Sequence, residues 1–241
     1  MDLGVKGKTY LLIAASRGLG RAVADVLGQE GAQVFVTSRS PGHDAILDTG
    51  DVKSRQNFVQ SVAGRHFDGI FVNTGGPRAG GVMDLSDQDW EQAFQQLLMG
   101  PIYLLRQLLP QVQPGGSVLL NASSSIREPI AHLALSNVMR AGLHALAKTL
   151  VDELAPRDIR VNMIVPGRID TERVRELDKL AAQRAGISTE RVREQAIAKI
   201  PAGRYGNPLE FGRLAAFLLS PSASYLNGSC YWVDGGQSRS L

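Results

Sequence analysis

Short apolar runs alternate along the chain with longer segments in which apolar residues recur every three or four positions. Continuous apolar runs are typical of strands in a sheet covered on both faces, and the spaced pattern is typical of helices. Strands are predicted at residues 10–15, 33–38, 69–73, 116–121, 159–164 and 229–233, with a weaker one at 46–47. Helices are predicted at residues 21–30, 87–112, 136–154 and 209–219.

The alternation of strands and helices predicts parallel βαβ units with right-handed crossovers. The segment 41–51 is too short for an ordinary crossover helix, so we expect a loop there. No linker, repeat or low-complexity stretch divides the series. The sequence therefore predicts an α/β fold in which residues 1–241 form a single domain. Its sheet is expected to be a Rossmann-type doubly wound parallel sheet of seven strands in the order 3-2-1-4-5-6-7.

Composition narrows the classes of function. Hydrophobic residues make up 44% of the 241 residues and charged residues 20%, as in a globular protein with a core. The 26 basic and 23 acidic residues give a net charge of +3 and form no block of like charge. We therefore expect neither a nucleic-acid partner nor a membrane partner.

The number of cysteines and the length of the apolar runs indicate the cellular compartment. The single cysteine, Cys230, excludes an intramolecular disulfide and fits a reducing environment. The sequence shows no signal-peptide layout and no apolar run long enough to span a bilayer. These features predict a soluble, cytoplasmic protein, and we predict no metal site.

A glycine-containing turn follows the first predicted strand and precedes a helix. Its residues are Ala15, Ser16, Arg17, Gly18, Leu19 and Gly20. The pyrophosphate of a dinucleotide needs backbone N–H groups and the positive end of a helix dipole, and glycines allow close approach of the backbone. Gly18 and Gly20 stand where the helix begins, so the turn predicts a dinucleotide site. The alternative is a strand-to-helix turn without a ligand.

The second predicted strand ends in Ser38 and Arg39, where the adenosine ribose lies in such folds. An acidic residue there would bind the ribose 2′-hydroxyl, whereas an arginine suits a 2′-phosphate. With Arg17 close by in the glycine turn, Arg39 favours NADP over NAD, which is the alternative cofactor. Arg39 could also be an exposed arginine at a strand end with no ligand.

Further motifs carry a resemblance to a known family. They are Gly50-Asp51-Val52, Asn73-Thr74-Gly75-Gly76, Asn121-Ala122-Ser123-Ser124-Ser125, and the segments 159–167, 225–228 and 233–236. In order and spacing, the chain resembles the short-chain dehydrogenase/reductase family over essentially its whole length. Within that family it is most similar to the members that resemble 3-oxoacyl-(acyl carrier protein) reductases.

The resemblance implies roles for residues along the chain. Asp51 and Val52 would flank the adenine, and Asn73, Thr74 and Gly75 would pass under the adenosine ribose and the middle of the cofactor. The nicotinamide carboxamide would be held by Pro166, Gly167 and Ile169. The segment from Thr171 to Ile200 would be a mobile substrate lid. Because such proteins usually associate through their two long helices, we expect a homotetramer or a homodimer.

The catalytic residues depart from the family pattern. Members usually carry an Asn–Ser–Tyr–Lys set, in which tyrosine exchanges the proton and lysine lowers the tyrosine pKa and binds the nicotinamide ribose. Only the serine matches, at Ser123. The tyrosine position is Ser136, the lysine position is Arg140 and the asparagine position is Leu97. The first glycine of the cofactor turn is also replaced, by Ala14.

These replacements change the expected chemistry. A serine hydroxyl is a much weaker acid than a tyrosine, and an arginine can bond a ribose but cannot relay a proton. We assign Ser123, Ser136 and Arg140 as candidate catalytic residues, with water or His132 as other proton sources. Three hypotheses remain: an NAD(P)-dependent oxidoreductase acting on a small carbonyl or alcohol, a dinucleotide-binding sensor or inactive subunit, and an enzyme of different chemistry that keeps the dinucleotide as a structural element.

Overall fold

A computed structural model describes residues 2–239. Within this range, one parallel sheet has the strand order β3-β2-β1-β4-β5-β6-β7. The strands are β1 (Thr9–Ile13), β2 (Gln33–Ser38), β3 (Ala45–Ile46), β4 (Phe67–Val72), β5 (Val112–Asn121), β6 (Arg160–Pro166) and β7 (Cys230–Val233). Every neighbouring pair is parallel. The predicted α/β fold and strand order are confirmed.

Helices cover both faces of this sheet. They are α1 (Gly18–Gln29), α2 (Val52–Ser61), α3 (Asp87–Phe94), α4 (Gly100–Leu108), α5 (Ala134–Leu154), α6 (Glu172–Ala185), α7 (Thr189–Ile197) and α8 (Pro208–Leu219). One core layer lies between the sheet and α2, α4 and α5, and a second lies between the sheet and α1 and α8. In the second layer, Phe71 and Phe211 meet edge to face with ring centroids 6.4 Å apart.

Two predicted elements differ in detail. The weak third strand is Ala45–Ile46, one residue earlier than expected, and the segment 41–51 contains no helix, as expected. The helix predicted at 87–112 is interrupted, because a π-helical stretch, Gln95–Met99, separates α3 from α4. π-Helical turns of this kind are frequent at functional sites.

Candidate active site

The carboxyl ends of the parallel strands meet at one edge of the sheet, and side-chain hydrogen bonds tie them together. The Ala14 N–H donates to Thr37 Oγ1 at 3.0 Å. Asn73 Nδ2 donates to the Ala14 carbonyl at 2.9 Å, and Asn121 Nδ2 donates to Asn73 Oδ1 at 2.8 Å. These bonds link the ends of β1, β2, β4 and β5 in a row. They place the glycine turn next to the residues predicted to lie under the cofactor.

The N-terminus of α1 is open for an anion. Gly18 has a φ of +56°, which is the left-handed region. A Cβ on Gly20 would lie 2.5 Å from Ala15 Cα, so the helix can begin this close to β1 only with glycine there. The preceding residue, Arg17, gives no side-chain cap, and the first turn has no acidic residue. In contrast, α2, α3, α6, α7 and α8 each begin with a capping side chain.

Free N–H groups and the helix dipole at this terminus suit a pyrophosphate. The predicted turn residues lie around it: Ala15 is buried, Ser16 and Leu19 are half-buried, and Arg17 and Gly18 are exposed. The residues present therefore fit the diphosphate of a dinucleotide.

The end of β2 offers a free cation beside this turn. Arg39 is exposed and makes no ion pair with any residue in the range 2–239, whereas Ser38 is buried. Arg17 is engaged elsewhere, because its Nη1 lies 2.9 Å from Glu172 Oε2 on the first turn of α6. Among the described residues, Arg39 is therefore a cation without an ion pair at the end of β2, next to the glycine turn.

The predicted adenine residues begin α2. Asp51 caps this helix, since its Oδ1 accepts from the Ser54 N–H at 2.5 Å. Val52 is exposed beside it. The loop before them is held from below by the buried Arg55, which donates to the Thr49 carbonyl at 2.8 Å.

Arg140 is a buried cation at the centre of the site. Its Nη1 donates to the Asn121 carbonyl at 2.5 Å, and its Nη2 donates to Thr74 Oγ1 at 3.2 Å. No carboxylate partners it among the described residues. Burial lowers the pKa of Arg140 to about 10, so the guanidinium is still protonated at neutral pH. The arginine at the lysine position therefore braces the end of β5 against the loop after β4.

Three buried polar atoms in this region make no hydrogen bond within residues 2–239. They are Arg140 Nε, Asn121 Oδ1 and Ser125 Oγ. Buried polar groups in proteins are nearly always hydrogen-bonded, so unpaired ones indicate a place for water or ligand atoms. This observation also fits a polar ligand such as the ribose of a dinucleotide.

The two candidate catalytic serines lie on either side of one loop. Ser123 is half-buried after β5, and its Oγ accepts from the Ser125 N–H at 3.2 Å. Ser136 is the third residue of α5 and is buried. Its hydroxyl makes no hydrogen bond to another residue in the part of the chain described, so it is available to a substrate or to water.

The loop between these serines is fixed by Asn137. The Asn137 side chain accepts from the Ile130 N–H at 3.2 Å and donates to the Ile130 carbonyl at 2.9 Å. His132 is exposed on this loop and has a φ of +59°. Its carbonyl accepts from the Gly80 N–H at 2.7 Å. Asn137 thus holds this loop against the start of α5.

Leu97 occupies the asparagine position and is fully buried. It lies in the π-helical stretch and packs with Ala93, Leu135 and Met139. An apolar side chain cannot hydrogen-bond a water molecule. The π-helical stretch is therefore present at this position, but it carries no polar side chain that could hold a water molecule for proton transfer.

The residues predicted to hold the nicotinamide form the start of the loop after β6. Pro166 ends the strand, and the Gly167 N–H donates to the Val233 carbonyl at 2.9 Å. A Cβ on Gly167 would lie 2.6 Å from Asp234 Cβ, so only glycine fits there. Ile169 is buried and forms a β-bridge with Gly206. This loop leads directly into α6.

The segment predicted as a substrate lid contains α6 and α7 and is held by the buried carboxylate of Asp178 and by part-exposed arginines. Asp178 is buried, forms an ion pair with Arg168 and accepts from the Tyr205 hydroxyl at 3.0 Å. Burial raises the pKa of Tyr205. The Arg193 guanidinium lies 4.2 Å from the Tyr205 ring centroid. Many of the charges in this segment therefore anchor the lid.

The first turn of α6 also contacts two loops at the carboxyl ends of the strands, one after β1 and one after β4. Glu172 pairs with Arg17 in the glycine turn, as described above. The next residue, Arg173, donates from Nη2 to the Pro77 carbonyl at 2.7 Å in the loop after β4. Helix α6 thus lies across the carboxyl ends of the neighbouring strands β1 and β4.

Two properties of residues 2–239 bear on membranes and metals. No helix there is long and apolar enough to cross a membrane. In the same part of the chain, no group of three or more His, Cys, Asp or Glu side chains could hold a metal ion.

Comparison with known proteins gives the family. Residues 13–238 match the family model described as enoyl-(acyl carrier protein) reductase. The 3-oxoacyl-(acyl-carrier-protein) reductase FabG of Salmonella typhimurium is 29% identical over 251 residues, covering 97% of this chain and 98% of the relative. Dehydrogenase/reductase SDR family member 4 of Homo sapiens is 29% identical over 252 residues, covering 95% and 87%.

A solved structure gives the same result. L-sorbose reductase from Gluconobacter frateurii, complexed with NADPH and L-sorbose, superposes with a TM-score of 0.92 at 27% identity, and the match covers 100% of each chain. The family model spans nearly the whole chain, and the sheet order and glycine turn agree with it. The protein therefore belongs to the short-chain dehydrogenase/reductase family.

Proposed function

We propose that the protein is an NADP(H)-dependent oxidoreductase that interconverts a carbonyl compound and its alcohol. The observation that carries the proposal is the hydrogen-bonded row from Ala14 through Asn73 to Asn121. It brings the open N-terminus of α1, the buried Arg140 and Ser123 to one edge of the sheet. The similarity to reductases, one of them complexed with NADPH, supports the same activity.

The nicotinamide of bound NADP(H) would supply or accept the hydride. The N–H groups at the start of α1 would hold the pyrophosphate, and Arg39 would hold the 2′-phosphate. The Arg140 guanidinium would bond a ribose hydroxyl, and the loop Pro166-Gly167 with Ile169 would hold the carboxamide. The Ser123 hydroxyl would donate to the substrate carbonyl oxygen and orient it.

The proton is the difficult part of the reaction. Reduction of a carbonyl needs a proton at the oxygen when the hydride reaches the carbon. Ser136 Oγ is unpaired and positioned on the first turn of α5, but serine is a weak acid. A water molecule bound to Ser136, or His132 on the neighbouring loop, would serve instead. We expect slow turnover of ordinary ketones.

A panel of carbonyl compounds with NADPH tests this proposal. We expect loss of the reduced-nicotinamide absorbance with at least one substrate, and no loss without substrate. The buried, apolar Leu97 favours a second candidate, a protein that binds the dinucleotide without turnover, as a sensor or as the inactive subunit of a mixed oligomer. Tight NADPH binding with no reaction across the panel would support that candidate and contradict the first.

The cofactor preference depends on Arg39. We expect NADP(H) to bind more tightly than NAD(H), because a guanidinium and a phosphate form charge-assisted hydrogen bonds worth about 1.5–3 kcal/mol, or roughly ten- to hundredfold in affinity. Arg39→Asp should narrow or reverse the difference, as measured by calorimetry. Arg184→Asp, an exposed change at the far end of α6, is the control and should leave it unchanged. Equal affinities of the unmodified protein for both cofactors would contradict the assignment.

Self-association is a second consequence of the family. We propose a homodimer or homotetramer with isologous contacts through α3, α4 and α5. Val138 on α5 is 53% exposed and would be covered in such a contact. Light scattering at micromolar concentration should show more than one chain, and Val138→Asp should shift the species toward the monomer. Leu180→Asp on α6, 37% exposed, is the control. A monomer for the unmodified chain would refute this expectation.

The proposal also covers the small-molecule partner and the cellular compartment. The partner would be a small carbonyl or alcohol molecule, and we propose the cytoplasm as the compartment, in keeping with the single cysteine, Cys230.

A further inference from the structure

The loop 74–80 connects the buried Arg140 to the start of α5. At one end, Thr74 Oγ1 accepts from Arg140. At the other end, the Gly80 N–H donates to the His132 carbonyl at 2.7 Å, and the Gly80 carbonyl accepts from the Ala134 N–H at 3.1 Å. The loop therefore connects the surroundings of Arg140 to the start of α5, which carries Ser136.

Arg173, on the first turn of α6, lies over the middle of that loop. Its Nη2 donates to the Pro77 carbonyl at 2.7 Å. A Cβ on Gly76 would lie 2.5 Å from Arg173 Nε and 2.8 Å from Arg173 Cζ, so the guanidinium rests directly against Gly76. The Arg173 side chain is 37% exposed. Helix α6 thus holds a partly exposed cation against this loop.

Most of the hydrogen-bonding capacity of this cation is unused. A guanidinium carries five N–H donors. The Pro77 carbonyl takes one, and Glu176 Oε2 lies 3.4 Å from Nη1, at the far limit of a hydrogen bond. Because Glu176 is itself 53% exposed, this ion pair contributes little and is easily replaced. A planar guanidinium with adjacent free donors suits an oxyanion that binds through two oxygens.

Arg140 adds a second positive charge beneath the same loop, and no carboxylate among residues 2–239 pairs with it. The groups assigned to the cofactor phosphates, the N-terminus of α1 and Arg39, lie toward β1 and β2. Arg173 contacts the loop after β4, on the side that leads to α5. Its guanidinium therefore lies at Gly76 and Pro77, where the loop leaves the residues assigned to the cofactor and continues toward α5.

We propose that Arg173 determines substrate specificity by binding an anionic group, a carboxylate or a phosphate, on the carbonyl substrate. This inference rests on the proposed oxidoreductase function, because it names the class of substrate for that site. Neutral carbonyl compounds would be poorer substrates than anionic ones of similar size.

Matched substrate pairs test the proposal and separate the two anions. Acetoacetate against ethyl acetoacetate tests the carboxylate, and dihydroxyacetone phosphate against dihydroxyacetone tests the phosphate. We expect kcat/KM to favour the anionic member of at least one pair by about 10- to 100-fold, the range for hydrogen bonds to charged groups. Arg173→Gln should remove most of this preference, and Arg173→Lys should keep part of it.

Two further variants distinguish binding of the anion from support of the lid. Gly76→Ala would push the guanidinium away without deleting it, and it should reduce the preference as Arg173→Gln does. Arg184→Gln, on the same helix, should leave the preference unchanged. If Arg173→Gln lowers kcat/KM equally for both members of each pair, or weakens NADPH binding by the same factor, the proposal is overturned.

A binding measurement keeps this inference separate from the proposed function. Calorimetry of 3-hydroxybutyrate and of its ethyl ester, each added to the NADPH complex, measures binding alone, because an alcohol and NADPH cannot react with each other. Tighter binding of the acid that is lost in Arg173→Gln supports the anion site even if no carbonyl is reduced. Equal binding of acid and ester, together with no preference for dihydroxyacetone phosphate in turnover or binding, refutes it.

Discussion

Ser136→Tyr together with Arg140→Lys is expected to raise kcat/KM for a simple ketone. General acid–base catalysis contributes about 10²–10⁴-fold, and we expect a gain within that range. Ser136 is the third residue of α5 and Arg140 lies one turn further on, so both replacements face the same side of the helix. A tyrosine near a cation has a lowered pKa and can deliver the proton that serine holds too tightly.

A matched control separates the acid from the added ring. Ser136→Phe with Arg140→Lys introduces the same ring without the hydroxyl and should give no gain. Rates with NADPH and a ketone from the panel are the measurement. If the unmodified protein already reduces a ketone rapidly and Ser136→Ala leaves the rate unchanged, another group supplies the proton. His132→Gln then identifies or excludes the neighbouring histidine.

Leu97 limits the size of the gain. Its side chain is fully buried against Ala93, Leu135 and Met139, so no water can be held at that point of the π-helical stretch. Adding Leu97→Asn would supply the missing amide, but it would place a polar group in an apolar cluster. That cost is about 1–3 kcal/mol unless the amide finds a partner. We therefore expect the pair of replacements at 136 and 140 to give most of the gain.

The sheet could be predicted from the sequence because its strands are continuously apolar. Buried runs separated by helical patterns leave few arrangements, and the glycine turn after β1 fixes where the strand order reverses. The strand boundaries moved by a few residues, since apolar residues such as Ala15 continue past the last hydrogen-bonded residue of β1.

The helices α2, α6 and α7 were missed because they bury little apolar surface. Only Arg55 and Phe58 are buried in α2, and no residue is buried in α7. Their starting signals were nevertheless present. Asp51 and Ser188 each cap the N–H group three residues ahead, a spacing that marks the start of a helix.

The chemical part of the site was harder to predict, because its contacts join distant segments. The predicted positions of Ser123, Ser136 and Arg140 come together at one edge, as β5 and α5 require. The sequence did not indicate that Arg140 would be buried and bonded to Thr74 and Asn121, since nothing local marks a guanidinium that binds carbonyl and hydroxyl oxygens. The ion pair between Arg17 and Glu172 could not be predicted either, because the two residues are far apart in the sequence.

Arg140→Met is expected to lower NADPH affinity by roughly 10- to 100-fold, which corresponds to the loss of hydrogen bonds to a charged group. The substitution removes the hydrogen bonds by which Arg140 joins the loop after β4 to the end of β5. It also removes the donor proposed for the ribose. Global stability should change less, because leaving the Asn121 carbonyl and Thr74 Oγ1 unpaired is offset by no longer burying a charge. Fluorescence titration with NADPH and a thermal melt measure the two effects.

Arg160→Met is the matched control for this experiment. Arg160 is also a buried arginine, and it donates to the carbonyls of Leu218, Ser220 and Leu226. It is the first residue of β6 and so lies at the amino-terminal end of the strands, away from the cofactor residues at their carboxyl ends. We expect this control to lower the melting temperature without changing NADPH affinity. Equal losses of affinity in both variants would mean that Arg140 acts only through the stability of the fold.

The pH dependence of Arg140→Lys tests why an arginine stands at this position. Burial disfavours the charged form and lowers the pKa of Arg140 to about 10, so its charge is retained below that pH. NADPH affinity of the unmodified protein should therefore be constant between about pH 6 and pH 9 with respect to this group. A free lysine has a pKa of about 10.4, lower than that of arginine, and the same burial would lower it further. The variant should lose its charge as the pH rises, and its NADPH affinity should fall toward pH 9. A flat profile for Arg140→Lys would show that the cation at position 140 does not contribute to binding through its charge.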